Sequence, residues 1–177
     1  VFVDVEEQTG NINADLIEAA ITKKTRAIIP VHLYGQMCDM ARISGIAKRY
    51  GLIIIEDAAH CIEGVRDGLR PGEASDAACF SFYATKNITS GEGGAVSTKK
   101  ETAGMLRMLR LHGMDKSASD RYTGLYRHYD LPLLGWKENM SNIQAALLVG
   151  QLERIDALLE KRNRLWGIYE GALSGIK

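Results

Sequence analysis

Two hydrophobic patterns alternate along the first half of the chain. Residues 26–31 (RAIIPV) and 52–55 (LIII) are apolar with little polar interruption, whereas residues 13–21 place Leu16, Ile17, Ala20 and Ile21 at helical spacing behind Asn13, which suits a helix cap. Residues 39–50 repeat the helical period with Met40, Ile43, Ile46 and Ala47 on one side and Gly51 in the stop position. Residues 1–5 (VFVDV), 76–82 and 94–97 read as further strands, and residues 100–111 as a helix. Strands without polar alternation, separated by helices, need cover on both faces. The spacing therefore predicts an α/β fold, a mostly parallel sheet with helices on both faces.

The second half is less regular. Residues 112–135 hold Tyr122, Tyr126 and Tyr129 without a clear period and read as an ordered loop or hairpin excursion. Ser141 and Gln144 then have the spacing of a capping box, and Ile143, Leu147, Ile155, Leu158, Leu159, Leu165 and Tyr169 continue at helical spacing. One helix over this whole segment would exceed ~40 Å at ~1.5 Å per residue, a length that suits a bridge to another domain. The expected organisation is residues 1–140 as part of a large domain and residues 141–177 as a long helix leading away from it. The start inside VFVDV also reads as a piece of something longer.

Composition removes several classes of function. Lysine and arginine total 22 and aspartate and glutamate total 22, so no basic field exists to attract nucleic acid or anionic lipid. No apolar run approaches the ~20 residues that cross a bilayer, so no membrane role is expected. Cys38, Cys61 and Cys79 are odd in number and lack CxxC spacing, which argues against a disulfide framework and a zinc ribbon and favours a reducing cytoplasm.

Candidate chemistry gathers where strands end, because ligands of open parallel sheets collect outside the carboxyl ends of the strands. The LIII run ends in Glu56, Asp57, Ala58, Ala59 and His60, and a second run, FSFYATKN at 80–87, delivers Lys86. Each has an ordinary reading, Asp57 as a helix cap and Lys86 as a surface charge. A lysine and an aspartate converging on one crevice also suit pyridoxal phosphate (PLP). The amine can form a Schiff base with the cofactor aldehyde, and the carboxylate can keep the pyridine nitrogen protonated. Ser81 offers a hydroxyl to a phosphate oxygen. His32 also lies at a strand end, facing the crevice or serving as a structural imidazole, and Cys61 reads as a buried thiol.

IEDAAH at 55–60, FSFYATKN at 80–87, GEGG at 91–94, LRLHG at 109–113 and GWKENMSNIQAA at 135–146 together resemble the DegT/DnrJ/StrS family of PLP-dependent sugar aminotransferases, in order and in spacing. The resemblance implies the large domain of the fold type I PLP-dependent transferases, incomplete here, because family chains are about twice as long. An amino-terminal phosphate loop, an aromatic residue stacked on the ring and a small carboxy-terminal domain have no counterpart in these residues.

Residue by residue, the resemblance gives Lys86 the covalent bond to PLP and Asp57 the pyridine nitrogen. Ala59 lies against the ring, His60 lies close to the cofactor or caps a helix start, and Ser81 binds phosphate. Asn139 is the candidate for a phosphate contact across to the neighbouring subunit, although Lys137 stands where relatives often carry asparagine. The tyrosine-rich excursion either lines a sugar or nucleotide pocket or packs on a partner subunit.

The implied reaction moves an amino group from an amino acid, commonly glutamate, to a keto carbon of a nucleotide-linked sugar, in a homodimer with shared active sites. Two other readings remain open. A sugar 3-dehydratase of the same family would carry histidine in place of Lys86, and a non-catalytic regulator would have no chemical reason to keep Lys86, Asp57 and Ser81 together.

Overall fold

The computed structural model describes residues 1–116 and 128–176. Its first helix, α1 (Ala14–Ala20), begins where the Asn13 side chain accepts the Asp15 N–H. α2 (Met40–Tyr50) is capped by Asp39, which accepts the Arg42 N–H, and stops at Gly51 in the left-handed region, φ 62°. Both ends therefore lie where the sequence predicts them.

The strands β1 (Ala27–Ile28), β2 (Ile53–Asp57), β3 (Ala77–Ser81) and β4 (Gly94–Thr98) form one sheet in that order. β1, β2 and β3 run parallel, and β4 is antiparallel to β3. β1 is shorter than residues 26–31 suggest because Pro30 has no N–H to give the ladder. Pairing resumes past it as a single bridge between Val31 and Asp57. Residues 1–5 do not join the sheet; Val5 makes one bridge to Ile12 across a turn in which the Glu6 and Gly10 amides bond to Asn11 and Glu6 carbonyls.

Side chains alternate across a strand, so the register sorts the sheet into two faces. Ile28, Ile54, Glu56 and Ala78 are buried on one face, where Met40, Ile43, Ile46 and Ala47 of α2 join Ile28, Ile54, Ala14 and Ile17 in the main core. Each large aliphatic side chain fully buried there contributes about 1.5–3 kcal/mol. On the other face stand Ile29, Ile53 and Val96, which are 62%, 51% and 49% exposed. Asp57, Cys79 and Ser81 share this open face by register.

α3 (Lys100–Leu109) follows β4. Tyr122 and Tyr126 of the expected excursion lie outside the described residues. The single long helix expected after Ser141 is instead two helices, α4 (Asn142–Leu152) and α5 (Ile155–Leu173). The predicted capping box is present: Ser141 Oγ accepts the Gln144 N–H and Gln144 Oε1 accepts the Ser141 N–H. The break falls at Arg154, whose backbone leaves the helical region at φ −111°, ψ 9° and whose Nε–H donates to the Gly150 carbonyl at 2.8 Å. Ile155 then packs with Phe82, Ile88 and Leu148 in a second, smaller core.

Candidate active site

β2 and β3 place their last residues side by side, with Asp57 paired to Cys79 and Ser81 two residues further along the same face. A cavity of about 390 Å³ opens there, lined by Ile29, Ile55, Asp57, Ala59, Cys79 and Ser81 among others. Three of the predicted cofactor residues, Asp57, Ala59 and Ser81, therefore meet in one space within the usual size range of small-molecule sites. A larger groove of about 720 Å³ lies between β4, α3 and the start of α4, lined by Arg107, Arg110, Trp136 and Glu138 among others. None of the predicted cofactor residues lines it.

Asp57 is half-buried, and its reading as a helix cap is corrected, because no helix follows it. Its Oδ1 accepts the Ala59 N–H at 3.0 Å, a local turn typical of aspartate, while its backbone is tied to Pro30 and His32. Oδ2 takes no hydrogen bond among the described residues and remains available to a ligand. Ser81 Oγ accepts the Tyr83 N–H at 3.3 Å, leaving its own hydrogen to donate.

Lys86 is half-buried in the loop between β3 and β4, and its backbone N–H donates to the Tyr83 carbonyl at 3.0 Å. Its Nζ makes no hydrogen bond or ion pair among the described residues. The loop is closed at its neck, where Phe82 N–H donates to Gly93 O at 2.9 Å and Ser90 N–H donates to Phe82 O at 3.0 Å.

His60 and Asn139 do not line the smaller cavity, and neither does Lys86. His60 is exposed and does not start a helix; its ring stacks on Tyr34 at 5.8 Å with an 8° interplanar angle. Tyr34 sits in a turn held by buried Asn11, which accepts the Leu33 N–H at 3.0 Å and donates to Gln36 O at 2.9 Å. This Asn11–Tyr34–His60 arrangement carried no sequence signal beyond a turn-forming YG pair. Asn139 Oδ1 accepts from Lys137 Nζ; Lys137 is exposed and Asn139 half-buried. Their segment is placed by an antiparallel crossing in which His112 N–H donates to Trp136 O at 2.8 Å and Glu138 N–H donates to Arg110 O at 2.9 Å. The LRLHG and GWKEN blocks are thus one structural unit.

Glu56 and His32 are both fully buried, with His32 Nε2 2.6 Å from Glu56 Oε2. Cys38 N–H donates to His32 Nδ1 at 3.2 Å, so the ring carries its proton on Nε2 and gives it to the carboxylate. Burial pushes the Glu56 carboxyl up, but hydrogen bonds from His32, Ser75 and the Gly72 amide outweigh it and hold the group below the usual carboxylate range. Of the two alternatives for His32, the structural imidazole is the one observed. Cys61 is buried as expected, and burial pushes both its thiol and that of Cys38 up to about 11, which leaves them poor nucleophiles.

A parallel sheet edge presents a carboxylate, a hydroxyl and a small side chain to one cavity, with a lysine on the next loop, an arrangement whose chemistry suits the PLP-dependent transferase class. The chain belongs to the DegT/DnrJ/EryC1/StrS aminotransferase family, whose model matches residues 1–177. It is 43% identical to the spore coat polysaccharide biosynthesis protein SpsC of Bacillus subtilis over 99% of this chain and 46% of that protein. It is likewise 43% identical to GDP-perosamine synthase of Caulobacter vibrioides, over 99% of this chain and 45% of that one. The PLP-form of Spr1654 from Streptococcus pneumoniae superposes with a TM-score of 0.85 at 31% identity, covering 99% of this chain and 48% of that one. The chain spans about half the length of the curated relatives it matches.

The cofactor of this family is PLP, and the residues here fit it. Asp57 Oδ2 can hold a protonated ring nitrogen, Ser81 can donate to phosphate, Ala59 leaves room for a flat ring, and Lys86 has an unpartnered amine among the described residues.

Proposed function

We propose that the complete protein is an aminotransferase that moves an amino group from an amino acid, glutamate being the expected donor, to a keto carbon of a nucleotide-linked sugar. PLP, when bound, supplies an aldehyde carbon to carry the amino group and a ring that accepts the electrons of the broken Cα–H bond. Lys86 would hold the cofactor through its amine and, with that amine free and neutral, would accept the proton from the donor Cα on its own nitrogen. Asp57 keeps the ring nitrogen protonated, Ser81 and the family's cross-subunit contact, here assigned to Asn139, hold phosphate, and Ala59 bounds the ring.

The observation that carries this reading is the convergence of Asp57, Ala59 and Ser81 on one cavity at the carboxyl edge of parallel strands. The sugar substrate is supported by the family and by relatives such as a GDP-perosamine synthase. Lysine at position 86 speaks against the dehydratase reading, which needs histidine there. Residues 1–140 belong to the large cofactor domain, and residues 141–177 pack against it through Leu148, Gln151 and Arg162 before leading out of it. The active form is a cytoplasmic homodimer that shares its sites.

The test is Lys86→Ala in the complete protein. Loss of both the visible absorbance of bound PLP and glutamate-dependent amino transfer is expected. Turnover near the wild-type rate would remove Lys86 from its role.

A further inference from the structure

Bonds to Lys86 itself do not explain how its loop is held. Three attachments do, and all lie within three residues of the lysine. Ile88, only 1% exposed, packs with Phe82 and with Leu148 of α4. Thr89 is gripped by Gln151, also on α4: the Thr89 N–H donates to Gln151 Oε1 at 3.0 Å, and the Thr89 carbonyl accepts from Gln151 Nε2 at 2.8 Å. Asn87, next to the lysine, donates through Nδ2 to Glu63 Oε2 at 2.9 Å, and Glu63 is ion-paired with Arg162 of α5.

The chemistry of these contacts is that of fixed register. The planar Gln151 amide turns its oxygen and one of its two N–H donors to the Thr89 peptide, as a neighbouring strand would, while Nε2 also donates to the Leu147 carbonyl of its own helix at 2.6 Å. Sliding the loop past α4 breaks both bonds together. The Glu63 side chain is only 7% exposed, so releasing Asn87 or Arg162 leaves a nearly buried carboxylate short of partners. Loops without such ties are the first parts of a protein to open. Covalent chemistry at a lysine does not tolerate that looseness, because a misplacement of about 1 Å costs on the order of 10²-fold in rate.

We propose that Gln151, Glu63 and Arg162 are positioning residues for Lys86, which through Thr89 and Asn87 fix the loop from which the amine reaches the cofactor. The two helices after Ser141 then set the reactivity of a lysine whose amine none of their side chains hydrogen-bonds among the described residues. This rests on the reading of Lys86 as the PLP lysine.

The experiment uses the complete holoenzyme with PLP and L-glutamate as probes. Gln151→Ala is expected to speed amide hydrogen exchange over residues 86–90 and to lower the single-turnover rate with glutamate by about tenfold or more, with the glutamate concentration at half-maximal rate within about twofold. Gln151→Glu keeps the acceptor for Thr89 N–H but sets a carboxylate oxygen against the Thr89 carbonyl, acceptor facing acceptor, so it should move both readouts in the same direction as Gln151→Ala and at least as far. Glu63→Gln keeps an oxygen for Asn87 and loses the ion pair, and should fall between wild type and Gln151→Ala. Ile43→Val, in the core under α2, lowers stability generally and should move neither readout. Wild-type exchange and rate in both Gln151 variants, or an equal response to Ile43→Val, overturns the proposal alone. A wild-type protein that forms no borohydride-reducible adduct at Lys86 overturns the functional reading, and the proposal with it.

Discussion

In an extended strand consecutive side chains leave on opposite faces, so the side chains of Glu56 and Asp57 cannot both enter one pocket. Asp57 faces the cavity, and Glu56 turns into the core towards His32. Asp57→Ala in the complete protein would leave the protonated ring nitrogen without its counter-ion, a loss on the order of 3–5 kcal/mol for a broken buried pair. PLP titration by absorbance measures it, and a Kd unchanged from wild type would exclude Asp57 from the site.

Glu56→Gln has a different signature. Its amide would set one N–H against the Gly72 N–H, donor facing donor, for a cost of about 1–3 kcal/mol. Because the folded-state pKa of Glu56 is depressed, its contribution is complete above the unfolded-state value of about 4.3 and disappears as pH falls through the folded value. The stability gap between wild type and Glu56→Gln, from urea unfolding, should therefore be full at neutral pH and shrink below about pH 4. Asp57 could be read in the sequence because it follows the apolar run LIII, and Ser81 because it stands five residues before Lys86 in the FSFYATKN block. The His32–Glu56 pair was not, since it joins residues 24 apart through the register of β1 on β2.

At the scale of elements, caps and stops were written locally and could be read locally. Asn13, Asp39, Gly51 and the Ser141–Gln144 box all act as their residue types suggest. The reversal of β4 and the break between α4 and α5 were hidden, because each depends on what packs nearby: Ile155 leaves the line of α4 to reach the Phe82, Ile88 and Leu148 cluster. The crossing of the 109–113 and 135–140 segments was hidden for the same reason. There Gly113 and Gly135 meet backbone to backbone, and a Cβ at Gly135 would lie 2.3 Å from Gly113 N and 2.5 Å from Leu109 O. Gly135→Ala must push the two segments apart. It should lower the melting temperature and weaken PLP retention together, whereas Gly104→Ala, inside α3 where a Cβ meets nothing within 4 Å, should lower neither and should raise the melting temperature slightly.

For the whole molecule, the family and the class of fold were carried by five short blocks in register, and the structure explains their dispersion along the chain. Two of the blocks end neighbouring strands, one closes the lysine loop, and two cross each other. What residue order could not convey is how unevenly the sheet is clothed. One side rests on α1 and α2, and the other presents Ile29, Ile53 and Val96 to solvent. Large exposed apolar side chains gathered on one sheet face are a liability for a stable monomer. Produced without the remainder of its polypeptide, the chain should brighten the dye ANS and scatter light increasingly with concentration, and the complete protein should do neither. The lysine and its acid would then be present and correctly made in a material that clumps before it reacts, so purification yield would report on the bare side of the sheet sooner than any assay reports on the chemistry.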